Sequence, residues 1–253
     1  MQSVLNQFNI SIHRVRELIV LHNSLKTQGT NTLDLSDILR AALVLAVSAL
    51  DYYIHEVVTL GMLEIYQGQR SEPQSSKQSA FARFQVSLGA AHQDRMVAIN
   101  IDSWLEDEFL QNYGDEFLQQ SHTVKSLIQP ISDMMLNKLN GNSWLEQEIR
   151  KSLGYKSFQQ PDKIADGIRL ISDKKLWDEV GAQMGKPKSE DIKQIKEQLS
   201  FIVERRNKIA HEADIDPSYN IGERWPIDED MVNDAVNFIE GVVHSIHQVL
   251  FCS

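Results

Sequence analysis

Three polar side chains in the last quarter of the chain, Arg206, Asn207 and His211, have the types and spacing for chemistry on an anion. A guanidinium keeps its charge at any physiological pH, and its planar fork holds two oxygens of one phosphate or carboxylate. An imidazole, with an ordinary pKa of about 6.5, takes up and returns a proton near neutrality. Together they supply charge stabilisation and proton transfer without a metal. Asn207 can hydrogen-bond the anion or fix the imidazole, and the sequence leaves both open.

These residues sit on a helix that should be ordinary. Ile192, Ile195, Leu199, Ile202 and Val203 recur at helical spacing. The same spacing continues through Arg206 to Ile209 and Ala210, which puts Arg206 near the centre of the apolar face. A charge there must be paired with a carboxylate, snorkel to the surface, or face something that wants a positive charge. His211 follows five residues later, so on one ideal helix the two side chains point about 140° apart. Either the helix ends or loosens at His211 and the ring swings inward, or two copies of the helix cross and the pairs from both chains line one cleft.

Other candidates are weaker. Asp51 and His55 are four apart and share a helix face with Glu56 beside them, where an Asp can orient a His. A polar flank explains them as well. Acids are dense from Asp102 through Glu106, Asp107 and Glu108 to Asp115 and Glu116, with no ordered ligand loop, so a solvated face is the better reading. His244 and His247 are three apart with no third ligand in view, and read as a surface pair. No metal site and no cofactor is expected, since no Gly-rich phosphate loop and no Cys/His signature occurs.

Composition narrows the class. With 253 residues, 42% of them hydrophobic, the chain can build a real core, and its 12 glycines and 6 prolines fall between periodic segments, which favours helix over sheet. One cysteine, Cys252, leaves no internal disulfide framework and suits a reducing cytoplasm. Met1 to Asn9 lacks the pattern of a signal peptide. The apolar run Ala41 to Leu50 is too short to span a bilayer. The expectation is a cytoplasmic protein with no membrane partner. A net charge of −10 argues against a surface that coats nucleic acid broadly. The segment from Lys186 to Lys208 is nevertheless locally basic, and Arg205 and Lys208 flank the candidate pair.

Periodicity and breakers predict helices at about 4–26, 35–66, 90–120, 121–139 with a kink or break at Pro130, 144–153, 162–184, 189–212 and 228–251. Asp34 or Ser36 is the expected cap of the second and Ser189 that of the motif helix, whose Glu190 and Asp191 suit its N-terminus. Phe81, Phe84 and Val86 follow a polar loop at 68–78. Tyr219, Arg224 and Trp225 lie in a polar loop after His211, where the aromatics can stack bases but more often tack a loop to the core.

The run Arg206-Asn207-Lys208-Ile209-Ala210-His211 resembles the R-N-x-x-x-H signature of the HEPN superfamily. A bare R-x4-H recurs by chance. The longer match, Arg205-Arg206-Asn207 with Ile209-Ala210-His211-Glu212-Ala213-Asp214, is similar to the bacterial RiboL-PSP branch, as are the helix from Leu39 to Tyr53 and the segment Leu176-Trp177-Asp178-Glu179-Val180. The resemblance implies an all-α, HEPN-like helical bundle built on antiparallel long helices, with additional helices in the middle of the chain. Residues 1–253 would form a single domain with a helical insertion at about 80–155. It implies a metal-independent endoribonuclease, a toxin or an anti-phage or stress-defence effector, acting as a homodimer on RNA. An antitoxin or another defence-system protein is a possible partner. Attack of a 2′-hydroxyl on the neighbouring phosphate would be served by Arg206, Asn207 and His211. Asp51, His55 and Glu212 would support them, and Arg205 and Lys208 would hold RNA. The alternative is a non-catalytic HEPN module that binds RNA, a nucleotide or a protein. In HEPN toxins paired with a minimal nucleotidyltransferase antitoxin, a tyrosine stands two places after the histidine. Ala213 stands there in this chain, so that regulation is not expected.

Overall fold

The structure, a computed structural model, describes residues 2–28, 34–73, 105–140, 143–216, 218 and 222–251. Phe81, Phe84, Val86, Asp102, Tyr219 and Cys252 lie outside the described residues. The chain divides into two compact units, Met1–Lys77 with Ser152–Ser253, and Gln78–Lys151. No strand occurs among the described residues, and the fold is all-α.

Four long helices build the first unit: α1 (Gln2–Thr27), α2 (Ser36–Tyr66), α9 (Ser189–His211) and α10 (Glu229–Phe251). In α1, Val4, Leu5, Phe8, Ile12, Val15 and Ile19 recur every three or four residues and are all buried. Helix α2 packs against α1, α9, α10 and α7 (Pro161–Ile168), which is why it is apolar on most sides. By length and composition α2 alone among the described helices could cross a membrane, but 56% of its most apolar window is buried inside the protein. Its place is that of a core helix.

Side-chain pairs fix the directions. Arg16 of α1 donates to Asn237 (2.8 Å) and to Glu240 of α10, and His244 of α10 meets Asn9 of α1 at 3.1 Å. These two helices are therefore antiparallel. Phe8, early in α1, meets Tyr53, just past the middle of α2, edge to face at 5.8 Å. The start of α2 meets the end of α9 through the residues described below. Asp228 accepts the Met231 N–H at 2.8 Å and caps α10.

Several local expectations are corrected. A single helix over 162–184 was expected, and two are found, α7 and α8 (Leu176–Gln183). The break buries Ile171 on α2, where its Cβ, Cγ2 and Cδ1 would all lie within 3 Å of a Cβ at Gly61. Ser189 does not cap α9: it is the first helical residue, and Lys188 at the cap makes no side-chain bond. Neither Asp34 nor Ser36 is the cap of α2: Leu35 holds that position without a side-chain bond, Ser36 is the first helical residue, and Asp34, one place before the cap, accepts the Ser36 N–H at 2.9 Å. Those Ser36 hydrogen bonds, with Arg224 beside it, hold the Asp34 carboxyl down at about 2. His247 is not on the surface. It is buried, with Nδ1 3.1 Å from the Tyr53 hydroxyl.

The second unit contains α3 (105–113), α4 (Asp115–Leu118), α5 (Val124–Asn140) and most of α6 (Ser143–Leu153). Gly114, at φ 80°, separates α3 from α4, so the helix expected across 90–120 is broken there. Phe109, Tyr113, Phe117 and His122 form a ladder of rings with centroids 4.1–6.0 Å apart between successive members. α5 runs on through Pro130.

Candidate functional site

Helix α9 carries Ile195, Leu199 and Val203 fully buried, and the next residue on that face is Arg206. The sequence pattern therefore delivers a guanidinium to the edge of the core. Arg206 is half-buried, and its Nη1 donates to Asn207 Oδ1 at 3.0 Å. Its Nε is buried without a hydrogen-bond partner, and among the described residues no carboxylate pairs with it. A buried N–H left unmade costs roughly 1–3 kcal/mol. An uncompensated guanidinium favours whatever anion can reach it.

Its neighbours are treated differently. Arg205 makes a two-pronged contact with Asp214, one prong at 2.9 Å, and its Nη2 also donates to the Trp225 and Pro226 carbonyls at 3.1 and 3.2 Å. Arg40 of α2 joins the same carboxylate, Nε to Oδ2 at 2.6 Å, and donates to the Trp225 carbonyl at 2.8 Å. Asp214 is only 1% exposed, so one buried carboxylate holds two guanidiniums. Arg224 pairs with Asp34 and Asp37. Lys208 lies over the Trp225 ring, Nζ 4.4 Å from the centroid. Arg205 and Lys208, expected as RNA contacts, are thus both engaged within the chain.

His211 is the last residue of α9, and it is exposed. Its ring has no polar partner among the described residues. Glu212 is exposed and already outside the helix, at φ −117°. The helix stops because Ala213 and Asp214 take φ values of 52° and 58°, a left-handed turn costing about 1–2 kcal/mol per residue. The Lys208 carbonyl accepts the N–H of both Glu212 and Asp214, each at 3.0 Å. Since α9 is regular through His211, Arg206 and His211 still project about 140° apart within one chain.

Asp51 and His55 stand elsewhere. Asp51 accepts the Phe158 N–H at 2.6 Å and the Gln159 side-chain amide at 3.0 Å. His55 Nε2 lies 3.1 Å from the Lys156 carbonyl, with its ring against Phe158 at 4.6 Å. Both fasten the 156–159 segment to α2, about three and four turns along that helix from Arg40. The structure does not bring them to Arg206.

Arg40 and Asp214 were not among the candidates. Arg40 is a lone charge on the apolar helix Leu39 to Leu50, and that isolation was the available signal.

A family model described as RiboL-PSP-HEPN matches residues 9–250. The chain belongs to the RiboL-PSP-HEPN family. No curated protein and no solved structure matches it. The match takes in both compact units and carries the HEPN assignment from the motif to nearly the whole chain. HEPN domains of this kind are nuclease or RNA-related modules. Among the described residues of this HEPN protein, no cluster of three or more His, Cys, Asp or Glu is arranged to hold a metal.

Proposed function

We propose that this HEPN protein is a metal-independent endoribonuclease, working in the cytoplasm as a toxin or a defence effector. Arg206 would hold the non-bridging oxygens of the scissile phosphate, with Asn207 beside it. His211 would move the protons: the 2′-hydroxyl loses its proton as its oxygen bonds to phosphorus, and the departing 5′-oxygen gains one as its bond to phosphorus breaks. The products are a 2′,3′-cyclic phosphate and a 5′-hydroxyl. The observation that carries this reading is the contrast among arginines. Arg40, Arg205 and Arg224 each meet an aspartate, whereas among the described residues Arg206 meets none and has a buried N–H unanswered.

The 140° divergence of Arg206 and His211 supports a second part of the proposal, a homodimer in which the ends of two α9 helices face each other across a two-fold axis. An open groove of about 570 Å³ beside the α9 end, floored by Ala41, Val44, Leu45, Ile209 and Ala213, suits such an interface. Residues at about 80–155 are read as an insertion in a single HEPN domain, and an antitoxin or other defence protein as a regulator. The same divergence favours one other reading: a lone protomer presents an anion-binding arginine without its proton carrier, and would bind RNA or a nucleotide without cutting.

Incubating the purified protein with total RNA in excess chelator tests the proposal. Cleavage with cyclic phosphate and 5′-hydroxyl ends is expected. Cleavage only when magnesium or manganese is restored would shift the chemistry to carboxylates. Binding that depends on Arg206, without cleavage, would establish the module reading.

A further inference from the structure

The buried cluster of Arg40, Arg205 and Asp214 is more elaborate than a helix end requires. We propose that Asp214 is a positioning residue for His211: by holding Arg40 and Arg205 together, it sets where α9 ends and how that end sits against α2. The proposal rests on the reading of Arg206 and His211 as the site, and it adds the part of the molecule that places them.

Asp214 acts through four connections. Its carboxylate takes Arg205 from α9 and Arg40 from α2, which pins the last turns of one helix to the start of the other. Its N–H donates to the Lys208 carbonyl at 3.0 Å, and its carbonyl accepts the Trp225 N–H at 2.9 Å. The Trp225 carbonyl in turn receives both arginines. His211 lies between Lys208 and Asp214, so its backbone is tied on both sides while its ring has no polar partner among the described residues. That combination is what a proton carrier needs: a fixed Cα and a ring free to meet the substrate. Arg205 is also adjacent to Arg206, so the rotation of α9 that satisfies Asp214 is the rotation that brings Arg206 to the edge of the core. The left-handed conformation of Ala213 and Asp214 has no glycine to ease it, and the two arginines and Trp225 hold it in place.

A carboxylate that merely stabilised the fold would affect melting and nothing else. Asp214→Asn keeps the shape and removes the charge that gathers the arginines. Arg205→Lys keeps a charge but loses the two-pronged grip, and it serves if Asp214→Asn does not fold. Both are measured well below their melting temperatures. The expected result is a fall in kcat of about 10²-fold for Asp214→Asn, less for Arg205→Lys, with KM changed little, because the proton carrier is displaced while Arg206 keeps its charge. The Hε1 resonance of His211, assigned by comparison with His211→Ala, should broaden or split in both variants. Unchanged kcat together with an unchanged His211 resonance in a well-folded variant overturns the proposal. If the parent cuts no RNA, the nuclease reading fails by itself. The His211 resonance then decides the positioning role alone: a shift in the variants sustains it, and none removes it.

Discussion

Arg206 and Arg205 are chain neighbours with opposite circumstances, and the difference can be measured. Removing Arg205 takes one of two guanidiniums from a carboxylate that is 1% exposed, leaving Asp214 to Arg40 alone. Losing a partner from a buried pair costs up to about 3–5 kcal/mol, and the remaining arginine should reduce that. Arg206→Ala removes a charge with no carboxylate partner among the described residues and should cost far less, so thermal melts should rank Arg205→Ala well below Arg206→Ala. Activity should rank the other way for proton transfer and charge: His211→Ala loses roughly 10²–10⁴ in rate. Arg206→Lys should rescue Arg206→Ala poorly, since an ammonium cannot hold two oxygens in one plane. A folded His211→Ala that cuts RNA at the parent rate removes the motif from the chemistry. His247 gives a prediction on pH. Burial, reinforced by His244 nearby, pushes its imidazole below the ordinary 6.5. The unfolded chain therefore takes up a proton near pH 6.5 that the folded one refuses, so stability is full above that pH and falls as pH drops below it. Melting temperatures of the parent should decline from pH 7 to 5, and those of His247→Asn should decline less. An equal decline in both would show that His247 is not the group responsible.

Among the elements, the long helices were legible because their information is local. Phe8, Ile12, Val15 and Ile19 in α1, or Ile195, Leu199 and Val203 in α9, repeat at helical spacing whatever lies elsewhere. The break between α7 and α8 was not legible, because nothing between Ile168 and Leu176 is a glycine or a proline. Its cause is Ile171 seated on Gly61, a contact between residues far apart in the chain. Likewise, no spacing rule places His247 on Tyr53, and no motif says that Arg205 turns back to Asp214 through a left-handed corner. Gly61 tests the account of α7 and α8. Alanine would favour the helix by about 1 kcal/mol over glycine. Its Cβ, however, would stand 2.7–2.9 Å from Ile171 Cγ2, Cδ1 and Cβ, and the last cannot swing away by a rotamer change. Overpacking of this kind costs roughly 1–3 kcal/mol, so it should win. Gly61→Ala is expected to lower the melting temperature. A variant that melts at or above the parent would mean that α7 and α8 are held by something other than this seat.

At the scale of the whole molecule, an acidic chain of net charge −10 presents at the end of α9 an arginine that meets no carboxylate among the described residues. The motif was legible since its residues are contiguous. How the two halves of it meet is not written in one chain, because α9 stays helical through His211 and holds the side chains about 140° apart. If two copies complete the site, each inactive variant should supply what the other lacks. Arg206→Ala keeps His211, and His211→Ala keeps Arg206. Equal amounts, allowed to exchange subunits, give mixed dimers as about half of the population. In those, the remaining arginine and histidine belong to different chains. RNA cleavage should then return to a fraction of the parent rate, up to about half, rising with the time of exchange. Native mass measurement reports the mixed dimer independently. Mixed dimers formed in the expected amount without any cleavage, from variants that each fold as the parent does, would show that Arg206 and His211 do not work across a two-fold axis. A parent that cuts RNA while strictly monomeric would show the same, and would require His211 to turn back over the end of its own helix.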